Sequence, residues 1–428
     1  MVPLNNMTFT VLFVYIVLFF FTFNQAVFLP QFTSFSDEVF TIITFFIFLL
    51  FLFTETKQLR FKKIIVVFVL YFIYNIIQLF FSPFTNNWIY SFIQSIINIK
   101  YIFVTYIFIR LLLKSKKTHR QINCLLLIFG ILFVIGMILN MVLQESWNSL
   151  LGYKIEYRYS ILRPAGWLAS IAHNSYFFIY ALLVFFFPTF LKKKTNISRI
   201  MTFLLFSLVI VTSSYIFTVR KNILVLVPLF IFVINYISRK YRFYLSIIVV
   251  SACIFLVAAN FNSQMVQDTL QNITDTTNNS EENSYIRGIM IYNGVYLFLH
   301  FFPFGTGAAT YGTLMSLANT HEVYKFVGIP EMFYLQEKTL GIYDSGFFSF
   351  IGENGFLGLL LVFFIHIYLV KKIRCLLPPV KYHVFLVLLS YAVFLSITEP
   401  VWQNGLFTVF FVLSVAKVID NKYLRIVY

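Results

Sequence analysis

Three arginines and a lysine border apolar stretches of the sequence. Arg163 lies in SILRPAGWLAS, Arg220 and Lys221 lie in the short turn of IFTVRKNILV, and Arg287 precedes the apolar stretch GIMIYNGVYLFLH. A guanidinium presents a planar fork of N–H donors that matches phosphate oxygens, so a set of such side chains could hold a diphosphate. Each cation could instead anchor a helix end by contacting lipid phosphate.

Asp344 lies where a long apolar stretch begins, in YDSGFFSF. Asp344 and Ser345 could cap the first turn of a helix, because short oxygen-bearing side chains accept hydrogen bonds from its free N–H groups. Asp344 could also act as a general base, which takes a proton from a hydroxyl during a transfer reaction. His321, Glu399 and His173 are the other candidates for that base.

Two further charges lie inside apolar stretches. Glu353, in IGENGFLG, is explained about equally well by a contact at a helix start and by a catalytic role. Lys100, in SIINIKYIFV, should face the interior of a helix bundle. The reason is that a charge at the centre of a bilayer costs about 2.5 to 3.5 kcal/mol.

The elements that carry these residues are predicted to be membrane-spanning helices. The sequence is 60% hydrophobic and 11% charged, with a mean hydropathy of +0.84, far outside the range of soluble globular proteins. Apolar runs near the roughly 20 residues that a helix needs to cross a bilayer recur along the chain, without the alternation of a β-barrel. The sequence therefore predicts an all-α polytopic membrane protein with about twelve spans, at residues 7–23, 39–54, 64–81, 89–113, 122–143, 167–190, 200–218, 222–237, 243–260, 346–370, 382–397 and 404–418.

Basic clusters predict the orientation of these spans. KQLRFKK, KSKKTHR, KKKTNISR, SRKYR and KKIR fall at every second connection, which places them and both termini in the cytoplasm. The net charge of +16 is then a topology signal and not a nucleic-acid footprint. The first apolar run lacks the basic start and the cleavage site of a signal peptide, so it is predicted to be retained. Three dispersed cysteines give neither a disulfide framework nor metal-ligand spacing.

The chain divides into three predicted regions. Residues 1–260 form a nine-helix membrane region, residues 261–345 form one long external segment, and residues 346–428 form a three-helix membrane region. Within this long segment, the apolar stretch 288–304 is predicted to be a helix that lies on or dips into the outer leaflet. No internal repeat is evident, which counts against a transporter built from inverted repeats.

The order of these residues resembles the O-antigen ligase and polymerase superfamily over roughly residues 155–370. In the ligases, one loop carries His, then Asn, Ser or Gln, nine residues, Gly, two residues, and Gly, Thr or Tyr. Ser345, Gly355 and Gly358 fit that spacing, whereas Asp344 takes the place of the histidine, which is the proposed base of the ligases. This departure favours the polymerases of the Wzy type. The likeness is carried by Arg163-Pro-Ala-Gly, Arg220-Lys221, Arg287 followed by PFGTG, and Asp344-Ser345 followed by Gly355 and Gly358.

Such a polymerase joins oligosaccharide repeat units, carried on undecaprenyl diphosphate, at the outer face of the bacterial inner membrane. The resemblance implies lipid-linked donor and acceptor substrates, no cofactor and no metal, with a chain-length regulator and a flippase of the same pathway as possible partners. Arg163, Arg220, Lys221 and Arg287 would hold the diphosphate, and Asp344 is the first candidate for the base. A ligase that transfers finished glycan to another acceptor, and a lipid-linked sugar flippase or other transporter, are the alternatives.

Overall fold

The computed structural model describes residues 36–55, 62–84, 87–114, 116–150, 157–158, 161–164, 166, 171–217, 219–259, 286–334 and 342–418. Over these residues the regular secondary structure is helical, apart from a pair of two-residue strands. The predicted all-α class is therefore confirmed for the described part of the chain. The predicted span at residues 7–23 lies outside it.

Six helices open the described chain: α1 (Ser36–Glu55), α2 (Lys62–Phe81), α3 (Trp88–Asn98), α4 (Lys100–Lys114), α5 (Lys116–Leu143) and α6 (Glu145–Leu150). The antiparallel strands β1 (Tyr157–Arg158) and β2 (Ile161–Leu162) follow. Next come α7 (Ile171–Lys192), α8 (Asn196–Ile216), a 3-10 turn (Arg220–Val225), α9 (Leu226–Asn235) and α10 (Arg239–Ala259).

The remaining elements belong to the long segment and to the C-terminal region. The long segment contributes α11 (Ile286–His300), α12 (Ser316–Asn319), α13 (Glu322–Phe326) and 3-10 turns at Glu331–Phe333 and Ile342–Asp344. The C-terminal region contributes α14 (Gly346–Leu376), α15 (Pro379–Ser396) and α16 (Gly405–Val418).

Four of these helices are long and apolar enough to cross a membrane: Ser175–Lys192, Asn196–Ile216, Gly346–Cys375 and Pro379–Ser396. Shorter apolar helical stretches occur at Thr41–Leu50, Val66–Phe81, Gly130–Leu143 and Lys221–Asn235. Many large apolar side chains on these helices are exposed, including those of Phe46, Leu205 and Phe363. An apolar surface of this kind is typical of helices that face lipid.

The predicted span at residues 89–113 is broken into α3 and α4, which corrects the expectation of one continuous helix. The break is at Ile99, whose backbone N–H bonds to the carbonyl of Ile96 in place of the regular helical partner. Next to the break, the Asn98 side-chain oxygen accepts hydrogen bonds from Gln94 at 2.7 Å and from Gln403 at 3.1 Å. Lys100, which was expected to face the bundle interior, is fully buried.

A helix is present where one was predicted at residues 288–304, but it starts at Ile286 and ends at His300, with a turn at 301–304. This helix, α11, packs along α14. Arg287 contacts Asp344, Gly294 lies against the backbone of Phe348, and Gly305 lies against that of Gly355. In these three contacts the residue numbers rise together along the two segments. α11 therefore runs in the same direction as the first turns of α14. After α11 the chain turns back, so that Gly312 meets Ser349. Residues 286–313 thus form a hairpin beside a helix long enough to span a membrane.

Two apolar clusters hold the described structure together. The larger cluster joins the long helices through side chains such as Phe103, Phe186 and Leu388. The smaller cluster joins α11 to the rest of the long segment, through side chains that include Tyr311 and Tyr324. Burial raises the pKa of the Tyr324 hydroxyl, and this hydroxyl accepts the N–H of Gly312 at 2.8 Å.

Candidate functional site

An ion pair joins the start of α11 to the turn before α14. The Nε of Arg287 donates to Oδ2 of Asp344 at 2.7 Å, and a terminal guanidinium nitrogen contacts the same oxygen. Both side chains remain partly exposed, at 38% for the arginine and 25% for the aspartate. Asp344 is therefore held by a cation at an accessible position.

The alternative role of Asp344 and Ser345 as helix caps is not what the structure shows. Ser345 occupies the N-cap position of α14, but its hydroxyl makes no capping hydrogen bond. That hydroxyl is buried and lies 2.9 Å from the hydroxyl of Ser349. The Asp344 side chain pairs with Arg287, and the Ser345 hydroxyl contacts that of Ser349. Neither contact involves a free N–H group of the helix.

A second ion pair joins Lys221 to Glu399. Lys221 lies in the 3-10 turn between α8 and α9, and Glu399 lies in the loop between α15 and α16. Their side chains are 17% and 14% exposed, so this pair is more enclosed than the first. The Lys221 ammonium also lies 5.8 Å from the centre of the Tyr176 ring, within the range of a cation–π contact.

The two ion pairs belong to one region of the molecule. Gly346, two residues after Asp344, lies so close to Glu399 that an added Cβ would be 2.6 Å from the Glu399 carbonyl oxygen. Tyr176 is within electrostatic range of Arg287 and Asp344 as well as of Lys221. Elements that are far apart in sequence, namely α7, the 3-10 turn, α11, α14 and the α15–α16 loop, therefore come near one another in the region of Tyr176.

Tyr176 lies in the candidate site, and the sequence did not single it out. It is one of 27 tyrosines, and its surroundings in NSYFF carry no distinguishing motif. In the structure it is 2% exposed, and its hydroxyl has no hydrogen-bond partner in the described part of the chain. A buried hydroxyl without a partner is uncommon in proteins and requires an explanation. One is that the hydroxyl bonds a ligand that the ion pairs recruit.

The other predicted site residues are placed as follows. Arg220 begins the 3-10 turn next to Lys221, and Arg163 follows β2 with a partly buried side chain. His321 precedes α13, where its Nε2 lies 3.0 Å from the Leu317 carbonyl oxygen and its ring packs on Tyr334. The contacts shown for His321 are thus made within the long segment. The side chains of Arg220 and His173 lie outside the described part of the structure.

Glu353 has a different environment from the paired carboxylates. It lies in α14 with no exposed surface, and its Oε1 accepts hydrogen bonds from the N–H groups of Thr310 and Tyr311, both at 2.8 Å. The Thr313 hydroxyl donates to the same oxygen at 2.5 Å. Its Oε2 has no partner among the described residues. Glu353 therefore ties α14 to the segment of the hairpin that returns after α11.

The motif glycines lie at the same junction. Gly355 has φ +59° and ψ −165°, a conformation that residues with a side chain avoid, and it kinks α14. A Cβ on Gly355 would lie 2.4 Å from the Gly305 nitrogen. From α2, Tyr74 donates to the Phe304 carbonyl at 2.7 Å and Gln78 donates to the Glu353 carbonyl at 2.5 Å. The structure thus gives a physical reason for glycine at this motif position.

The arrangement around Tyr176 can bind an anion by exchange of partners. Each cation, Arg287 and Lys221, is neutralised by a partly exposed carboxylate. A diphosphate that reached this region could replace the carboxylates as the partner of both cations, because guanidinium and ammonium groups form strong charge-assisted bonds with phosphate oxygens. Asp344 and Glu399 would then be free to accept protons. Among the described residues, no group of three His, Cys, Asp or Glu could hold a metal ion.

Comparisons with known proteins assign no family to the chain. A scan against protein-family models finds no match, and a search of curated proteins finds none. The support for a function therefore comes from the geometry of the two ion pairs and from the motifs described above.

Proposed function

We propose that the protein is a membrane glycosyltransferase that polymerises lipid-diphosphate-linked oligosaccharide repeat units of a bacterial surface polysaccharide. The observation that carries this proposal is the convergence of two cation–carboxylate pairs around the buried hydroxyl of Tyr176. Cations suit the leaving diphosphate, and carboxylates suit the removal of a proton from the acceptor. The resemblance to the O-antigen ligase and polymerase superfamily supports the same activity.

In the proposed reaction, a hydroxyl of the acceptor sugar attacks the anomeric carbon of the donor sugar. The new C–O bond forms as the bond between that carbon and the diphosphate oxygen breaks, and the diphosphate leaves with its lipid. The hydroxyl proton passes to a carboxylate of the protein. Bond making and bond breaking balance without an oxidant, a nucleotide or a metal.

The ion pairs give each group a role in this reaction. Arg287 and Lys221 bind the diphosphate and stabilise the charge that develops on it, and Arg163 and Arg220 extend the same clamp. When Arg287 turns to the diphosphate, both oxygens of Asp344 become available to the acceptor hydroxyl. Glu399 and His321 are the other candidates for the base. Tyr176 donates its unpartnered hydroxyl to a substrate oxygen.

The proposed activity needs a defined placement in the membrane. We infer about twelve spans, with both termini in the cytoplasm and the long segment at the outer face of the inner membrane. This placement keeps the lipid tails of donor and acceptor in the bilayer while their sugars meet at one membrane border. A chain-length regulator and a flippase of the same pathway are the partners that such a polymerase would have.

The glycan ladder of cells that lack the protein tests the proposed activity. We expect loss of all surface glycan longer than one repeat unit, while glycan with a single repeat persists. Expression of the wild-type protein should restore the ladder, and so should Glu322→Gln, which changes only an exposed pair with Lys325 on α13. Loss of all surface glycan would instead indicate a ligase or a flippase, and an unchanged ladder would rule out all three activities.

A further inference from the structure

A groove lies between α5, α7 and α16, along the part of α7 that follows Tyr176. Its volume is about 940 Å³, and its lining is mostly apolar, with Ile131, Val134, Phe185 and Phe410 among the side chains that form it. It ends at Lys192, an exposed residue at the C-terminus of α7. None of the proposed site residues lines it.

Small residues and a helix proline create this groove. Gly130 on α5 faces it, and an added Cβ there would meet no atom within 4 Å. On the facing side of α7, the small side chains of Ala181 and Pro188 leave space along the helix surface. The hydroxyl of Thr189, also in the lining, donates to the carbonyl of Phe185 at 2.8 Å. The Thr189 hydroxyl thus bonds within the wall, whereas the hydroxyl of Tyr180, also in the lining, has no partner among the described residues. Most of the surface left to an occupant is apolar.

The dimensions of the groove fit an extended hydrocarbon chain. From Phe177 to Lys192 the lining follows α7 for about 22 Å, at a rise of about 1.5 Å per residue. The hydrocarbon of one leaflet is about 15 Å thick, half of a core of about 30 Å. A chain that starts at Lys192 and follows the groove would therefore pass through one whole leaflet and about 7 Å beyond it.

The positive charge at the end of the groove favours an anionic occupant. Lys192 is followed by Lys193 and Lys194, at an end of α7 that the basic clusters place in the cytoplasm. A lysine near an anionic membrane surface attracts negative lipid headgroups. We propose that the groove binds an anionic phospholipid of the cytoplasmic leaflet, with one acyl chain along α7 and its phosphate at Lys192.

This lipid site is distinct from the proposed diphosphate site. Tyr176 lies near the start of α7 and Lys192 ends it, about 24 Å apart along the helix axis. A polyprenyl diphosphate bound at the ion pairs could send its tail down the same groove. Such a tail is uncharged, so it would give the Lys192 ammonium at the end of the groove no anionic partner.

Lipid binding to the purified full-length protein tests this proposal. Native mass spectrometry would measure the binding of phosphatidylglycerol and of phosphatidylcholine with matched acyl chains. We expect tighter binding of phosphatidylglycerol to the wild type, weakened about fivefold by Lys192→Gln. Lys240→Gln, at an exposed lysine in the first turn of α10 and in another basic cluster, is the matched control and should not change binding.

A second variant fills the groove itself. Gly130→Leu places a side chain in open space and replaces a glycine in the interior of a helix, so it should not harm folding. We expect it to weaken binding of phosphatidylglycerol by roughly tenfold or more, because it displaces several methylene groups of the acyl chain. Ala181→Leu provides the same test from α7.

Three results would overturn the proposal. The first is equal binding of the two phospholipids, and the second is binding that Lys192→Gln leaves unchanged. The third is strong binding of undecaprenyl phosphate that only the groove-filling variants weaken, with no binding of phosphatidylglycerol. None of these measurements depends on glycan synthesis, so the lipid site and the polymerase activity stand or fall separately.

Discussion

Carboxylates in or near α14 are held in two different ways, and the difference separates a structural acid from candidate catalytic acids. Glu353 is fully buried and accepts hydrogen bonds only from uncharged donors of the hairpin. Asp344 and Glu399 are partly exposed, and each meets a cation. A carboxylate fixed by three donors of one loop cannot change partners unless that loop unfolds. A carboxylate paired with a cation at an accessible position can.

The energetic cost of disturbing the two kinds of carboxylate should differ in the same way. Removal of a buried acceptor leaves each of its donors unsatisfied, at about 1 to 3 kcal/mol per group. An accessible ion pair contributes about 0 to 1 kcal/mol to stability, because water and ions replace either partner. Substitutions at Glu353 should therefore act on folding, and substitutions at Asp344 should act on the reaction.

Glu353→Ala should have the largest effect on the folded protein. It removes the acceptor of the Thr310 and Tyr311 N–H groups and of the Thr313 hydroxyl, so we expect a loss of at least about 3 kcal/mol and low accumulation in membranes. Glu353→Gln keeps an oxygen for these donors and should recover most of the lost stability. Thermal unfolding of the purified variants would measure both effects. Wild-type stability of Glu353→Ala would remove the structural half of the comparison.

Asp344→Asn should have the largest effect on activity alone. The amide cannot accept the proton of an acceptor hydroxyl, and a general base contributes about 10²- to 10⁴-fold to a rate. We expect normal insertion and accumulation with little or no polymer, measured as the length distribution of the glycan. Near-normal polymer would show that Asp344 is not the base, and Glu399→Gln and His321→Gln would then be the variants to examine.

Arg287→Lys should have a smaller effect, on substrate binding more than on folding. Lysine keeps the positive charge but loses the planar fork that bonds a phosphate through two N–H groups. We expect shorter polymer chains and a raised KM for the lipid-linked repeat unit in membranes, with unchanged protein level. Lys325→Arg, at the exposed pair on α13, is the control for a change between these two cations. Wild-type chain lengths would favour a role of Arg287 in anchoring α11 to lipid.

Local features of the sequence predicted the helical class, the burial of Lys100 and the presence of a helix near residues 288–304. Hydropathy and the cost of burying a charge act over short stretches, so both can be inferred without knowledge of the fold. The pairing of Lys221 with Glu399 could not be inferred, because α9, α10, the long segment, α14 and α15 lie between them in the chain. The break at Ile99 was not predicted either, because SIINIKYIFV contains neither glycine nor proline to indicate it.

The role of Glu353 depends on contacts of the same long-range kind. Its donors come from Thr310, Tyr311 and Thr313, some forty residues earlier in the chain. From the sequence, a helix-start contact and a catalytic role were equally good explanations for Glu353, and the contacts in the structure support neither of them. The structure shows an acid that holds two segments together, because the kink at Gly355 allows the hairpin to approach α14.

Ser345→Ala should have the smallest effect, and it tests whether the region beside Asp344 depends on the charged pair alone. The Ser345 hydroxyl caps no N–H group of α14, so its removal costs the helix no capping bond. It does leave the hydroxyl of Ser349 without this neighbour, and a lost hydrogen bond between side chains costs about 1 kcal/mol. We therefore expect a slightly lower melting temperature and polymer of nearly normal length. Loss of polymer at normal stability would mean that Ser345 contacts the substrate, which would add an uncharged group to the site and weaken the assignment of the chemistry to the paired carboxylates.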